Sequence, residues 1–151
     1  MNEPEIIKDI VIREFRIEDY ENIVALWDSA KLSYRPRGRD SPERIGQELK
    51  KGNAIFLVAE VRGRLAGSVL GTHDGRKGWI NRLAVCPEFR RQSIARRLVD
   101  EVESRLSRLG IEVIACLIEG WNTTSMQVFE RLGYERYPGI AYFSKRKSRD
   151  A

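Results

Sequence analysis

One stretch constrains the fold of this chain more than any other: an apolar strand, a short turn and a long amphipathic helix follow one another between residues 79 and 109. Apolar residues recur at three- and four-residue steps from Ile94 to Leu109, which is the periodicity of a helix with one buried face. A second apolar run follows at residues 112–118. The pattern predicts a strand–helix–strand unit whose second strand is buried in the centre of a sheet.

Further strands and helices flank this unit. The predicted strands cover residues 10–16, 54–61, 65–72, 79–86, 112–118, 134–137 and 140–145. The predicted helices cover residues 18–29, 42–51, 94–109 and 123–132. This order predicts a central mixed sheet flanked by about four helices, an α/β (α+β) architecture. We expect a single domain over residues 1–151, with residues 145–151 as a frayed tail.

Composition narrows the class of protein. The 151 residues are 42% hydrophobic and 32% charged, which is typical of one globular domain. The sequence has no apolar run of membrane-spanning length and no apolar signal core at its start, so we expect a cytoplasmic protein without membrane contact. The two cysteines, Cys86 and Cys116, make no disulfide framework, and the single His73 makes no metal site.

Positive charge gathers at the turn that precedes the long helix. The chain has 27 Lys and Arg against 22 Asp and Glu, a net charge of +5. Arg90, Arg91, Arg96 and Arg97 surround the helix start, where unpaired N–H groups and the helix dipole favour a phosphate. An exposed basic helix face would have the same residues. The residues alone leave these two interpretations even.

Two separated motifs resemble those of a known family. The segment from Leu83 to Leu98 resembles motif A of the GNAT superfamily of N-acetyltransferases: an apolar strand, then Val-x-Pro-Glu-aromatic-Arg, a turn and a helix. Asn122, followed seven residues later by Phe129, resembles motif B. The resemblance covers nearly the whole chain and is nearest to short bacterial YpeA-like members. It implies a GNAT-like acyl-CoA N-acyltransferase fold, with acetyl-CoA as co-substrate and a primary amine as acceptor.

The resemblance also implies which residues contact acetyl-CoA. Backbone groups of the fourth strand would pair with the acetyl and pantetheine part, and the turn amides would wrap the pyrophosphate. Asn122 would contact the pantetheine arm, and the N–H of Val85 would stabilise the oxyanion as the amine attacks directly. The implied contact residues are Leu83, Ala84, Val85, Arg90, Arg91, Gln92, Ser93, Ile94, Ala95, Asn122 and Phe129.

Three positions depart from the family pattern. Ser93 and Arg91 stand where the family has glycine, so we expect Ser93 to fit if its backbone angle is ordinary; a weaker CoA site is the alternative. Phe129 stands where the family often has a tyrosine, and a phenyl ring cannot protonate the leaving thiolate.

The general base is not evident from the sequence. Relatives often place a glutamate on the fourth strand, where this chain has Trp79 and Asn81. Glu119 is the best remaining carboxylate, although a solvated loop acid would have the same sequence context.

Two other functions compete with acetyl transfer. The altered turn and Phe129 also suit a non-catalytic acyl-CoA-binding protein or regulator. Nucleic-acid binding ranks third, because Arg35, Arg37 and Arg39 lack interleaved aromatic residues. For the transferase, we expect these arginines to border the acceptor cleft and to favour an acidic small-molecule or peptide amine. We expect no nucleic-acid partner, and a homodimer is left open.

Overall fold

A computed structural model of the chain describes residues 9–91 and 93–151. Its core is a five-stranded sheet in the order β1-β2-β3-β4-β5. The strands are β1 Ile10–Glu14, β2 Ala54–Val61, β3 Arg64–His73, β4 Lys77–Val85 and β5 Val113–Ala115. The α-helices are α1 Tyr20–Ser29, α2 Pro42–Lys50, α3 Ile94–Arg108 and α4 Thr123–Arg131. The first four strands are antiparallel, and β5 is parallel to β4 because α3 crosses between them. The predicted mixed sheet is confirmed.

The two faces of the sheet are covered by different helices. Along β2, Leu57 joins the apolar cluster under α3, and its neighbour Val58 joins the cluster under α1 and α2. This alternation follows from the two-residue repeat of a strand. Val102 of α3 and Trp27 of α1 are fully buried in their respective clusters. Each face of the sheet therefore has its own apolar cluster that anchors it to the helices.

Small residues on β3 bring α3 close to the sheet. A Cβ atom added at Gly67 would lie 2.9 Å from Ile94, and one added at Gly71 would lie 2.5 Å from Val102. Neither position has room for a side chain without moving the helix. The position of the α3 N-terminus relative to β4 is thus set by packing along the whole helix.

The predicted starts of α2 and α4 are confirmed by their capping residues, whereas the first helix begins at Tyr20 rather than at residue 18. The Ser41 hydroxyl accepts a hydrogen bond from the N–H of Arg44 at 3.3 Å, and Pro42 takes the first helical position of α2. Asn122 caps α4 in the same way, accepting from the N–H of Ser125 at 3.1 Å.

The chain after α3 differs from the sequence prediction. β5 has three residues and lies at the edge of the sheet, so the expected buried central strand is wrong. Ile114, Cys116 and Ile118 pack against the core, but Val113 and Leu117 are 55% and 60% exposed. The apolar run is therefore buried on one side only.

The two strands expected at residues 134–137 and 140–145 are also absent from the part of the chain that the structure describes. Ile140 and Phe143 are 75% and 89% exposed. An apolar run forms a stable strand only when a partner strand pairs with it, and local sequence does not reveal whether that partner is in reach.

Candidate active site

A bulge interrupts the middle of β4. Two residues, Arg82 and Leu83, lie opposite the single residue Val69 of β3. Arg82 has a φ of 54°, in the left-handed region. A bulge of this kind bends the strand and increases its local twist. The second half of β4 consequently takes a different direction from the first.

Buried hydrogen bonds hold the bulge in place. The Arg82 guanidinium donates to both carboxylate oxygens of Asp40, at 3.1 Å from Nε and 2.6 Å from Nη2. Asp40 also accepts from the backbone N–H of Arg35 at 2.6 Å. On the other side, Ser68 donates to the Arg82 carbonyl at 2.8 Å and accepts from the Trp27 indole at 3.0 Å. This network fixes β4 to the connection between α1 and α2.

The pairing of β4 with β5 stops before the bulge is reached. Their parallel pairing ends at Trp79 and Ala115. Further along β4, the N–H of Cys86 donates to the Ala66 carbonyl at 2.8 Å, and antiparallel alternation then directs the backbone groups of Val85 away from β3. The amide and carbonyl of Val85 therefore face the side from which β5 has separated. Backbone groups at such an edge can pair with an extended ligand.

The turn before α3 has an unusual backbone. Arg91 has a φ of 65° and Ser93 a φ of 62°, both in the left-handed region that favours glycine. Ser93 therefore does not meet the condition of an ordinary backbone angle under which it was expected to fit. Two L-residues adopt the conformation for which the family pattern uses glycine, because the packing of α3 and the end of β4 fix both ends of the turn. Gln92, the remaining residue of this predicted site, lies outside the described residues.

The four arginines near this turn have different roles. Arg96 donates to the backbone carbonyl of Arg131 at 3.1 Å, and Arg97 donates to that of Ile10 at 3.3 Å. Both side chains thus contact the protein's own backbone. Arg90 and Arg91 are exposed at the turn itself, followed by the first amides of α3. All four arginines and the α3 dipole contribute positive charge at the helix start, and Arg90 and Arg91 are the two at the turn itself.

A cavity of about 540 Å³ lies beside the opening. Its wall includes three of the implied CoA contacts, Leu83, Asn122 and Phe129, and the candidate base Glu119. Ala84 is instead buried under α1 and α2, and Val85 packs at the α3 face. Arg90, Arg91, Ser93, Ile94 and Ala95 lie at the α3 turn rather than on this wall.

The side chains of α4 close one side of the cavity. The Asn122 Oδ1 atom is used in capping α4, which leaves its amide NH₂ as a donor for a ligand. Phe129 is 7% exposed and packs edge-on against Tyr134, with ring centroids 5.1 Å apart. The Tyr134 hydroxyl donates to Glu103 at 3.1 Å, and burial together with that carboxylate raises the Tyr134 pKa. Tyr134 therefore does not supply the hydroxyl that Phe129 lacks.

Three carboxylates lie on the cavity wall. Asp40 is paired with Arg82, and Glu119 is exposed on the loop before α4. Glu48 lies in the last turn of α2 and is half-buried. Burial is the largest cause that raises its pKa, and the negative charge of Asp40 raises it further. Sequence reasoning missed Asp40, Arg82 and Glu48. A lone arginine inside an apolar strand was the available signal for the buried pair.

The C-terminal residues also reach the cavity. Tyr142 and Arg146 lie on its wall, and Asp150 pairs with Arg37 at 3.3 Å. A side chain at Gly38 would collide with the Asp150 carbonyl. The fraying of this tail in solution stays a prediction.

The cysteines and the histidine do not form a reactive centre. Burial raises the pKa of Cys116 to about 11, so its thiol is protonated and packs as an apolar group. His73 accepts from the N–H of Gly75 at 3.2 Å within a turn. In the described residues, no three His, Cys, Asp or Glu side chains come together as a metal site, and no helix is long and apolar enough to cross a membrane.

Comparison with known proteins decides the family. Residues 20–134 match the model of the Acetyltransferase (GNAT) family. The chain belongs to the GNAT acetyltransferase family. It is 34% identical over 139 residues to "Acetyltransferase SG1711" of Sodalis glossinidius (strain morsitans), covering 92% of this chain and 96% of that relative. The GNAT fold and the acetyltransferase activity expected from the two motifs are thereby confirmed.

Solved GNAT structures agree with this fold. The PaiA N-acetyltransferase of Thermoplasma acidophilum, in complex with coenzyme A, matches with a TM-score of 0.70 and 19% identity, over 81% of this chain and 87% of that one. An aminoglycoside acetyltransferase from an uncultured soil metagenomic sample, in complex with sisomicin, matches with a TM-score of 0.73 and 15% identity, over 94% of this chain and 100% of that one. At these identities the likeness concerns the fold alone.

Proposed function

We propose that this GNAT acetyltransferase transfers an acetyl group from acetyl-CoA to the primary amine of a small molecule or peptide that carries a negative charge. The observation that supports the CoA site most directly is the left-handed backbone at Arg91 and Ser93. This conformation precedes the N-terminus of a 15-residue helix, where successive backbone N–H groups suit a pyrophosphate. Because Arg91 and Ser93 already have the backbone conformation that glycine would allow, their side chains are not a sufficient reason to expect weak CoA binding.

The remaining CoA contacts follow from the opening beside β4. The backbone groups of Val85, and of Leu83 at the bulge, are proposed to flank the pantetheine, with the Asn122 amide as a further donor, while Ala84 between them pairs with Ser68 of β3. The Ile94 and Ala95 amides extend the pyrophosphate contacts that begin at the turn. Phe129 supplies an apolar wall near the thioester sulfur.

The reaction needs both substrates in one cavity. The neutral amine attacks the thioester carbon, and the Val85 N–H stabilises the oxyanion that develops there. Collapse of the tetrahedral intermediate breaks the C–S bond, and the thiolate takes its proton from water because Phe129 has none to give. The thiolate leaves without a protein acid, but more slowly than it would with a positioned hydroxyl donor.

The charge on the cavity wall indicates the class of acceptor. Arg35 and Arg39 come from the α1–α2 connection and Arg146 from the C-terminal residues. Burial is the largest cause that lowers the pKa of Arg39, and the positive charges of Arg82, Arg146 and Arg35 lower it further. The strongest counter-ion nearby, Asp40, is already paired with Arg82. An acceptor with a carboxylate or phosphate would relieve this repulsion, and a polycation such as an aminoglycoside would increase it.

An amine panel tests the proposal. Thiol release from acetyl-CoA is measured with a Glu-rich peptide bearing a free N-terminus, the matching Lys-rich peptide, spermidine and sisomicin, with CoA binding measured in parallel. We expect release with the acidic peptide and at least tenfold less with the three cationic amines. Tight CoA binding without turnover on any amine would instead favour the non-catalytic acyl-CoA-binding protein. Absence of CoA binding would exclude both functions. The cytoplasmic location stays a prediction.

Restoring the missing hydroxyl gives a second test. In Phe129→Tyr we expect kcat to rise by about tenfold or more, because a general acid contributes about 10²–10⁴-fold where the leaving group needs it. CoA affinity should stay the same, since the ring is retained. Phe129→Leu serves as the control and should lower activity through lost packing against Tyr134. An unchanged kcat in Phe129→Tyr would show that protonation of the thiolate does not limit the reaction.

A further inference from the structure

Within the described part of the chain, the cavity wall has one half-buried carboxylate that accepts no hydrogen bond, that of Glu48. Among the residues that the structure describes, no side chain or backbone N–H donates to Glu48, and no cation lies within ion-pair distance of it. The other two carboxylates on the wall differ, because Asp40 is paired with Arg82 and Glu119 is exposed. Unpaired carboxylates are uncommon at partly buried positions, since burial disfavours the charged form.

Residues of α2 next to Glu48 pack in the core and so fix the position of its backbone. Ile45, one helical turn earlier in α2, is 3% exposed in the core, and Leu49 packs against the same cluster. These anchors leave little freedom for the helix backbone that carries Glu48. Thr72 and Asn81 of the sheet line the same cavity, as does Leu83 of the proposed thioester site.

From this arrangement we infer that Glu48 is the general base that takes the proton from the acceptor amine. The inference rests on the proposed acetyl transfer. The carboxylate removes one proton from the ammonium group, and the neutral nitrogen forms the C–N bond with the thioester carbon. As the C–S bond breaks, the nitrogen gives its second proton to water, and the CoA thiolate takes a proton from water. Glu48 then returns its proton to solvent. Each turnover therefore releases one net proton, one N-acetylated amine and one CoA thiol.

The electrostatic surroundings suit this role. The charged groups nearest Glu48 are Asp40 of the α1–α2 connection, Lys51 at the end of α2 and Arg82 of β4. The remaining charged residues of the cavity wall are Lys31, Arg35, Arg39, Glu119 and Arg146. Burial and Asp40 raise the Glu48 pKa, while Lys51 and Arg82 lower it, and the net direction is upward. A base whose pKa is raised toward neutrality is better matched to an amine than an ordinary glutamate.

The test compares two minimal acceptors in the full chain. Ethylamine is almost wholly protonated near pH 7, whereas trifluoroethylamine is largely neutral and needs no base before attack. In Glu48→Gln we expect kcat/KM for ethylamine to fall by about 10²-fold, with a much smaller loss for trifluoroethylamine. Glu43→Gln, an exposed position on the same helix, is the matched control and should leave both values unchanged. CoA affinity and melting temperature should be the same in all three proteins.

A measurement that needs no turnover tests the role of Glu48 separately from the proposed acetyl transfer. In ¹³C NMR of glutamate-labelled protein, the carboxyl signal missing from Glu48→Gln should titrate above the ordinary glutamate pKa. An equal loss on both amines, a Glu48 carboxyl with an ordinary pKa, or loss of the acidic limb of the pH profile only in Glu119→Gln would overturn the role of Glu48. Absence of thiol release by the unaltered protein with both of these amines and with the Glu-rich peptide would overturn acetyl transfer itself, and the role of Glu48 with it.

Discussion

Single residues in the turn before α3 carry backbone strain at the place where the proposed phosphate site lies. An L-residue in the left-handed region costs about 1–2 kcal/mol, and both Arg91 and Ser93 are there. Such strain persists only where the surrounding structure fixes the backbone. At this turn the end of β4 and the buried face of α3 provide that constraint.

Ser93→Gly should therefore stabilise the protein. Glycine removes the left-handed strain at a φ of 62° but adds about 0.4–1 kcal/mol of unfolded-state entropy, so we expect a net gain of about 0.5–1 kcal/mol. Urea unfolding measures the change, and calorimetric titration should show CoA binding that is equal or tighter. Ser107→Gly, at an exposed helical position in α3, is the control and should destabilise by about 0.5–1 kcal/mol. A loss of stability in Ser93→Gly would contradict the left-handed conformation.

Residue types alone could not predict this strain. The resemblance placed glycine positions at Arg91 and Ser93, but a serine or arginine adopts an ordinary backbone angle in most turns. What decides the angle is the geometry of the two elements that the turn connects. For Phe129 the sequence was sufficient, because the absence of a hydroxyl is a property of the residue itself.

At the scale of elements, the β4 bulge connects the fold to the site. Arg82 and Asp40 are 14% and 5% exposed and joined by two hydrogen bonds. A buried pair of this kind contributes little over an apolar pair, but removal of one partner leaves the other charge buried and uncompensated. The pair also fixes the α1–α2 connection, which carries two of the cavity's arginines.

Asp40→Ala should accordingly be among the most damaging single changes. We expect a loss of about 3–5 kcal/mol in the free energy of unfolding, because Arg82 keeps its charge without a partner. The matched control is Glu88→Ala, which removes the surface pair of Arg64 and Glu88, 60% and 62% exposed, and should cost less than about 1 kcal/mol. Chemical denaturation of both variants measures the difference. Similar losses in the two would show that the buried pair does not hold the bulge.

Periodicity predicted the elements better than their partners. The spacing of apolar residues located α3, and the capping residues located the starts of α2 and α4. The pairing of Arg82 with Asp40 could not be predicted, because the two residues are 42 positions apart and meet only through the sheet. The edge position of β5 was missed for a related reason. An apolar run indicates that a strand is buried, but it does not show whether one or two strands pair with it.

For the whole molecule, the fold separates the arginines that we assign to ligand binding into two clusters. Arg90 and Arg91 lie at the start of α3, while Arg35, Arg39 and Arg146 lie around the cavity. The net charge of +5 showed that an anionic ligand was plausible, but only the fold shows two separate clusters. In our account the first binds the pyrophosphate of CoA and the second selects the acceptor.

A crystal structure of the protein with coenzyme A tests this account most directly. We predict a pyrophosphate hydrogen-bonded to backbone N–H groups of the turn and first residues of α3, with the pantetheine running along β4 past Val85 and its thiol in the cavity near Phe129. Arg91 and Ser93 should keep their left-handed backbone. A complex in which the coenzyme binds elsewhere, or a turn that stays without ligand at saturating coenzyme A, would contradict the account.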